Sequence, residues 1–263
     1  MNNSPLLFID SGIGGLPYLE WLKKRMPEES FVYIADNKNF PFGTKNRNEL
    51  INIMVATIAE AEEQYSPKAA VLACNTASVV SLDVLRNNFN FPFIGVVPAI
   101  KPAAFTTKNK RIGLMASNRT IEDEYTERLI KDFASDCEVF KLAAGEIIDF
   151  IENRLYNSDQ DEIRAVIAPA VKYFKDNEVD IVVLGCTHFL FLEKELQEEL
   201  GGNVMIIDSR DGVGRQIMRV LEDKDLKSGR KTDDKFILTG NKESNEKIRN
   251  YTWISEKYGL CAV

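Results

Sequence analysis

The feature that most restricts the fold is an alternation kept up along the whole chain. Short apolar or β-branched runs stand at LLFID (6–10), FVYIAD (31–36), AAVLAC (69–74), FIGVV (93–97), RIGLMAS (111–117), EVFKLA (138–143), DIVVLGC (180–186), VMIIDS (204–209) and KFILTG (235–240). Helical patterns lie between them: LPYLEWLKK (16–24), RNELINIMVATIAEAEEQY (47–65), SVVSLDVLRNNF (78–89), IEDEYTERLIKDF (121–133), EIIDFIENRL (146–155), EIRAVIAPAVKYFKD (162–176) and GVGRQIMRVLED (212–223). Strands that read as unbroken apolar runs are covered on both faces. Strand–helix alternation at this spacing builds βαβ units around parallel sheet, so the predicted class is α/β.

The chain also repeats itself. AVLACNT (70–76) resembles VVLGCTH (182–188), and FIDSGIGG (8–15) resembles IIDSRDGVG (206–214). The first pair puts one cysteine in each half at the carboxyl end of a buried strand, where open parallel sheets bind ligands. The second pair suggests that the chain returns near its end to the domain in which it began. The expected architecture is two similar doubly wound α/β domains with mostly parallel sheets. They are pseudo-symmetric, with the active site in the cleft between them. The first domain is expected over 1–97 plus 208–263 and carries Cys74; the second covers 98–207 and carries Cys186.

Composition narrows the partners. The chain is 44% hydrophobic and 28% charged, with a net charge of −7, so no basic face for a nucleic-acid partner is expected. The apolar runs fall well short of the ~20 residues of a membrane span. MNNSPLLFIDSG has no basic residue ahead of its apolar run, so it does not read as a secretory signal. A cytoplasmic protein with no membrane partner is expected. Cys74, Cys137, Cys186 and Cys261 include no close pair and read as free thiols in a reducing compartment. With no CxxC and a single histidine, His188, no metal site is expected.

Three stretches carry chemistry. DSGIGG (10–15) follows a strand and precedes a helix, where glycines permit close backbone approach and a helix N-terminus favours anions. A dinucleotide-binding reading exists, with Asp36 as the ribose acid, but its G-x-G-x-x-G pattern needs glycine where Pro17 stands. A bare strand-to-helix turn is the plainer alternative. ACNTAS (73–78) sets Cys74 ahead of a helix whose first residues, Asn75, Thr76 and Ser78, can cap it or bind a carboxylate. That helix N-terminus is expected to lower the thiol's pKa, although a single cysteine after an apolar strand is often a small buried hydrophobe. GCTH (185–188) repeats the arrangement in the other half, which core packing alone does not require.

Two thiols facing each other across a cleft suit one reaction. A carbon acid held between them loses a proton to one thiolate and gains one from the opposite thiol, so its stereocentre inverts. One sulfur must be thiolate while the other is thiol. Asp10 and His188, both at strand ends on the cleft side, are placed to tune that state. A Cys/His nucleophile of the hydrolase kind is an alternative, but it leaves the second cysteine unused.

FIDSGIGGL, YIADNKNFPFGTK, ACNTAS, GVVPAIKPA (95–103) and GCTH, in that order and spacing, are together very similar to the glutamate racemases of the aspartate/glutamate racemase superfamily. TIEDEYTERLIKDF and the later FILTG segment belong to the same resemblance, which runs from about residue 7 to residue 259. It implies racemisation of L-glutamate to D-glutamate without cofactor, supplying peptidoglycan, with Cys74 on one face of the substrate Cα and Cys186 on the other. Asp10 and His188 would assist their neighbouring thiols, and Glu152 would support the histidine. Ser11, Asn75, Thr76 and Thr187, with the backbone of Pro41, Phe42 and Gly43, would hold the carboxylates and ammonium, and Thr120 would be a further substrate-side group. Relatives are often homodimers. Those activated by a cell-wall precursor carry an N-terminal extension, and with nine residues before Asp10 no such regulation is expected.

Some positions depart from the family pattern. Phe42 stands where tyrosine is common, Ala35 precedes Asp36 in place of glycine, and Pro17 replaces a frequent threonine. Phe189–Leu190 replaces an aromatic–proline pair, so a looser turn is expected there. Arg119 and Asn241 also differ from some relatives. An aspartate or other acidic amino-acid racemase is the nearest rival, and pocket size decides it. The rivals from other classes are an NAD-dependent Rossmann oxidoreductase and a non-catalytic amino-acid-binding protein. The first predicts nicotinamide binding; the second predicts binding with no exchange at Cα.

Overall fold

A computed structural model describes residues 2–240, 251–254 and 258. Among them the strands are β1 (Leu6–Asp10), β2 (Phe31–Ala35), β3 (Ala69–Leu72), β4 (Phe93–Gly95), β5 (Arg111–Ala116), β6 (Glu138–Ala143), β7 (Ile181–Leu184), β8 (Met205–Ile207) and β9 (Lys235–Leu238). The α-helices are α1 (Leu16–Lys23), α2 (Arg47–Tyr65), α3 (Asn75–Asn88), α4 (Ile100–Thr106), α5 (Asn118–Glu122), α6 (Glu124–Phe133), α7 (Gly145–Asn153), α8 (Gln160–Asp176), α9 (Glu193–Leu200) and α10 (Arg210–Asp223). One sheet has the order β4-β3-β1-β2-β9 and the other β6-β5-β7-β8, and every pairing is parallel. Each of the nine expected strands is present. The whole of β1, β2, β3 and β7 is buried, as unbroken apolar runs require.

Both sheets wind the same way. The chain steps from β1 to β2, then crosses back to β3 on the other side of β1. In the second sheet it steps from β5 to β6, then crosses back to β7 on the other side of β5. Strand order therefore reverses between β1 and β3 and between β5 and β7, where such sheets open a crevice beyond their carboxyl ends. Asp10 and Cys74 end the first pair of strands; Ser117 and Cys186 follow the second. The repeat AVLACNT/VVLGCTH is thus a true structural correspondence, β3 with β7. The repeat FIDSGIGG/IIDSRDGVG is not, because β1 corresponds to β5 while Ile206 and Ile207 lie on edge strand β8 of the second sheet. The chain comes back to the first sheet through α10, which packs on α1, and through β9, which pairs with β2.

One apolar core joins the two sheets. It runs from Phe8 and Tyr33 on the first sheet through Ile147 and Ile151 of α7 to Phe174, Val182 and Leu184. The outer faces have their own cores: Leu7 and Ile9 against Met54 and Ile58 of α2, and Ile112 and Leu114 against Ile100 and Ala103 of α4.

The structure differs locally from the sequence expectations at three points. IEDEYTERLIKDF is two helices, because the Asp123 side chain accepts the Tyr125 N–H and starts α6 afresh. Helices α4 and α9, of 7 and 8 residues, were not expected. Leu190 does not loosen its turn, since residues Thr187–Leu192 form a continuous 3-10 helix with Leu190 buried.

Candidate active site

The two cysteines occupy equivalent backbone positions. Cys74 has φ −138° and ψ 125°, Cys186 φ −141° and ψ 136°, and each immediately precedes a helix, α3 or the Thr187–Leu192 turn. Both are buried and both line one cleft of about 680 Å³. Ser11, Pro41, Phe42, Gly43, Thr76 and His188 line the same cleft.

Behind Cys186 runs a hydrogen-bonded chain. His188 Nδ1 lies 3.8 Å from Cys186 Sγ, and His188 Nε2 lies 2.7 Å from Glu152 Oε2. The same carboxylate oxygen accepts the Ile13 N–H at 3.2 Å, and the Tyr251 hydroxyl donates to Glu152 Oε1. Burial opposes charge on both His188 and Glu152. Even so, the histidine is held well above its usual range by its contacts with Cys186 and Glu152, and the carboxyl is held down chiefly by His188. The two form a buried imidazolium–carboxylate pair.

The other half is backed by Asp10. Its Oδ1 accepts the Gly12 N–H at 2.8 Å and its Oδ2 accepts the Thr187 hydroxyl at 3.1 Å, so it ties β1 to the turn that follows Cys186. Burial raises Asp10 to about 6 against the pull of His188. Burial, reinforced by the charges of Asp10 and Cys186, also pushes the Cys74 thiol well up, and the N–H groups of Ala77 and Thr76 recover only part of this. The expectation that the helix N-terminus lowers the Cys74 pKa is corrected: desolvation outweighs the first turn of α3.

Gly12 and Gly14 of DSGIGG serve this junction, while Gly15 lies against Ala73 and Tyr33 of its own sheet. A Cβ on Gly12 would overlap the Glu152 carboxylate, and one on Gly14 would overlap His188 and Thr187. The backbone after β1 thus lies directly against the histidine–glutamate pair of the other sheet. Asp36 is equally occupied. It is buried, with its oxygens accepting from Asn39 Nδ2 at 2.8 Å and the Thr239 hydroxyl at 2.5 Å. Its carboxylate is already satisfied inside the fold, which removes the ribose-binding role of the dinucleotide reading.

The remaining expected residues divide into two groups. Thr76 Oγ1 lies 2.8 Å from Ser117 Oγ and 3.1 Å from Thr120 Oγ1, a hydroxyl cluster that joins α3 to α5 across the cleft. Thr120 sits in that cluster behind the lining. Neither Asn75 nor Thr76 caps α3. Asn75 is 1% exposed, and both its side-chain polar atoms lack a hydrogen-bond partner. Asn75 is not among the residues that line the cleft. Ser78 has no ligand role, since it donates to Leu72 O and accepts from Val96 N, clamping β3 to β4.

Sequence reasoning missed Ser117 and Tyr251. Ser117 was discoverable, because it follows β5 at the position equivalent to Ser11 after β1, as the pairings Ile9–Leu72 and Met115–Leu184 show. Nothing local marks Tyr251, which reaches Glu152 from 99 residues away in sequence.

Two cysteines at paired switch points line one cleft, with His188 and Glu152 behind one of them, and sequence comparison gives the chain a family. Residues 18–212 match the family described as Asp/Glu/Hydantoin racemase, and the chain belongs to it. A glutamate racemase of Shewanella denitrificans is 38% identical over 222 residues, 84% of this chain and 79% of that enzyme. The structure of Escherichia coli glutamate racemase in complex with L-glutamate and the activator UDP-MurNAc-ala superposes with a TM-score of 0.85 at 34% identity, covering 98% of this chain and 97% of that one. A glutamate racemase isoform from Bacillus anthracis superposes at 0.81 with 27% identity, covering 100% and 97%. Among the described residues no helix is long and apolar enough to cross a membrane.

Proposed function

We propose that this chain interconverts L-glutamate and D-glutamate by passing a proton between Cys74 and Cys186, without a cofactor. The observation that carries the reading is the equivalence of the two thiols. They share a backbone conformation, follow equivalent strands of two similarly wound sheets and line one cleft. A planar carbanion formed between them is reprotonated from the side opposite to the one that lost the proton, and inversion follows.

The supporting groups are unequal. His188, protonated and held by Glu152, exchanges a proton with Cys186. Asp10 stands near Cys74, and its negative charge helps keep that sulfur a thiol until the ammonium of a bound amino acid compensates it. Asn75, which follows Cys74 at the start of α3, is assigned a substrate carboxylate on the family resemblance. Ser11, Thr76, Thr187 and the Pro41–Gly43 backbone complete the binding set, with Thr120 holding Thr76. Phe42 supplies an apolar wall where a tyrosine hydroxyl is common. Supply of D-glutamate to peptidoglycan in the cytoplasm, a homodimeric assembly, and the division into 1–97 plus 208–263 and 98–207 belong to the same reading.

The test is proton exchange in D₂O, with L-glutamate and L-aspartate offered separately and Cα deuterium followed by NMR alongside optical rotation. Glutamate should lose rotation and gain deuterium; the same result with aspartate alone would change the substrate and keep the mechanism. Cys74→Ser and Cys186→Ser should each lower racemisation by at least ~10²-fold in both directions, because every turnover uses both groups. Normal racemisation by either variant would sink the two-base assignment.

A further inference from the structure

Glu152 is reached by a residue that no motif announced. We infer that Tyr251 is a positioning residue for this reaction, donating its hydroxyl to Glu152 Oε1 and so fixing the charge state of the pair formed with His188. The inference rests on the racemase reading of the cleft, but the contact itself does not. Tyr251 is 3% exposed and lies in the helical residues 251–254, with its ring 6.3 Å from that of Phe236 on β9. Its hydroxyl has one proton, and the carboxylate is the strongest acceptor in reach; the Asn37 side-chain oxygen lies farther, at 3.4 Å. Glu152 thus receives the Tyr251 hydroxyl on Oε1, and the Ile13 N–H and His188 on Oε2. The segment that follows β9 thereby reaches the base behind Cys186.

The consequence follows from charge. When His188 loses its proton, the His188–Glu152 pair goes from neutral overall to negative. A hydroxyl donated to the carboxylate stabilises the negative state more than the neutral one, and so holds the pair's pKa down. The other titratable groups that act on this network are Asp10 and Cys186 beside His188, and Tyr33 and Asp10 beside Tyr251. Replacing Tyr251 leaves all of them in place.

His188 is the single histidine of the chain, so ¹⁵N-histidine labelling gives one imidazole to follow. In Tyr251→Phe the His188 titration midpoint should rise by about one pH unit, and the alkaline limb of kcat/KM should rise with it. Because the two enantiomers are equal in energy, kcat/KM must change equally in both directions, whereas kcat and KM individually need not. Tyr251→Leu, a second variant lacking the hydroxyl, should shift the same resonance upward. An unchanged His188 midpoint in either folded variant, even with a lowered Tm, would reduce Tyr251 to a packing residue and overturn the proposal. A protein that shows the shift but never racemises glutamate would instead keep the Tyr251 contact and overturn the function proposed above.

Discussion

Asp10 does two jobs that conflict. It is wholly buried and accepts two hydrogen bonds that join β1 to the turn after Cys186, yet burial raises its pKa from 3.8 to about 6. A raised carboxyl binds its proton more tightly in the folded chain than in the unfolded one. Between pH 4 and 6 the native state keeps a proton that the unfolded state has lost, so stability falls as pH rises through that window. At about 1.4 kcal/mol per pH unit the full effect is on the order of 3 kcal/mol. Asp10→Asn cannot titrate. Urea midpoints of both proteins from pH 4 to pH 7 should therefore diverge with rising pH, the variant gaining by an amount of that order. A difference independent of pH would show that Asp10 carries no such shift. The sequence marks Asp10 plainly, at a strand end before a glycine turn. Its pKa is decided by what covers it, which includes Thr187 and His188 from the other half of the chain.

The glycine turn after β1 shows how an element's sequence can be legible while its purpose is not. DSGIGG marks a tight strand-to-helix turn, and α1 does begin just after it at Leu16. What Gly12 and Gly14 admit is the other half's machinery, written 140 to 174 positions downstream. Gly12→Ala should displace the Glu152 carboxylate, cost about 1–3 kcal/mol in stability and lower kcat roughly a hundredfold. Gly212→Ala is the control: it lies inside α10, its added Cβ meets nothing within 4 Å, and it should gain about 0.5–1 kcal/mol. Equal losses of activity in the two variants would show that Gly12 matters only as a flexible residue. Elements whose signal is local were legible to within a few residues, as with α2, which Asn46 caps by accepting the Glu49 N–H. The break at Asp123 was not, because a helix pattern reads straight through a single internal cap.

At the scale of the molecule, two sheets share one core. Phe8 and Tyr33 belong to the same apolar cluster as Phe174, Val182 and Leu184, and α10 closes on α1 so tightly that a Cβ at Gly214 would overlap the Trp21 ring. Burial that is common to both halves couples their unfolding. Urea transitions followed by far-ultraviolet circular dichroism and by tryptophan fluorescence should therefore coincide. Two separated transitions would show that the halves hold together only weakly. The sequence by itself determined the α/β class, the nine strands, the matched cysteines and Asp10 at its strand end, because buried parallel strands and strand-end chemistry leave local, repeating patterns, whereas Glu152, inside α7, was marked only by the family resemblance. Only the tertiary structure decided which groups charge one another, which glycines face Glu152 and His188, and that Tyr251 reaches the site. Those depend on contacts between segments far apart in sequence, and desolvation acts through the whole surrounding fold rather than through neighbours along the chain.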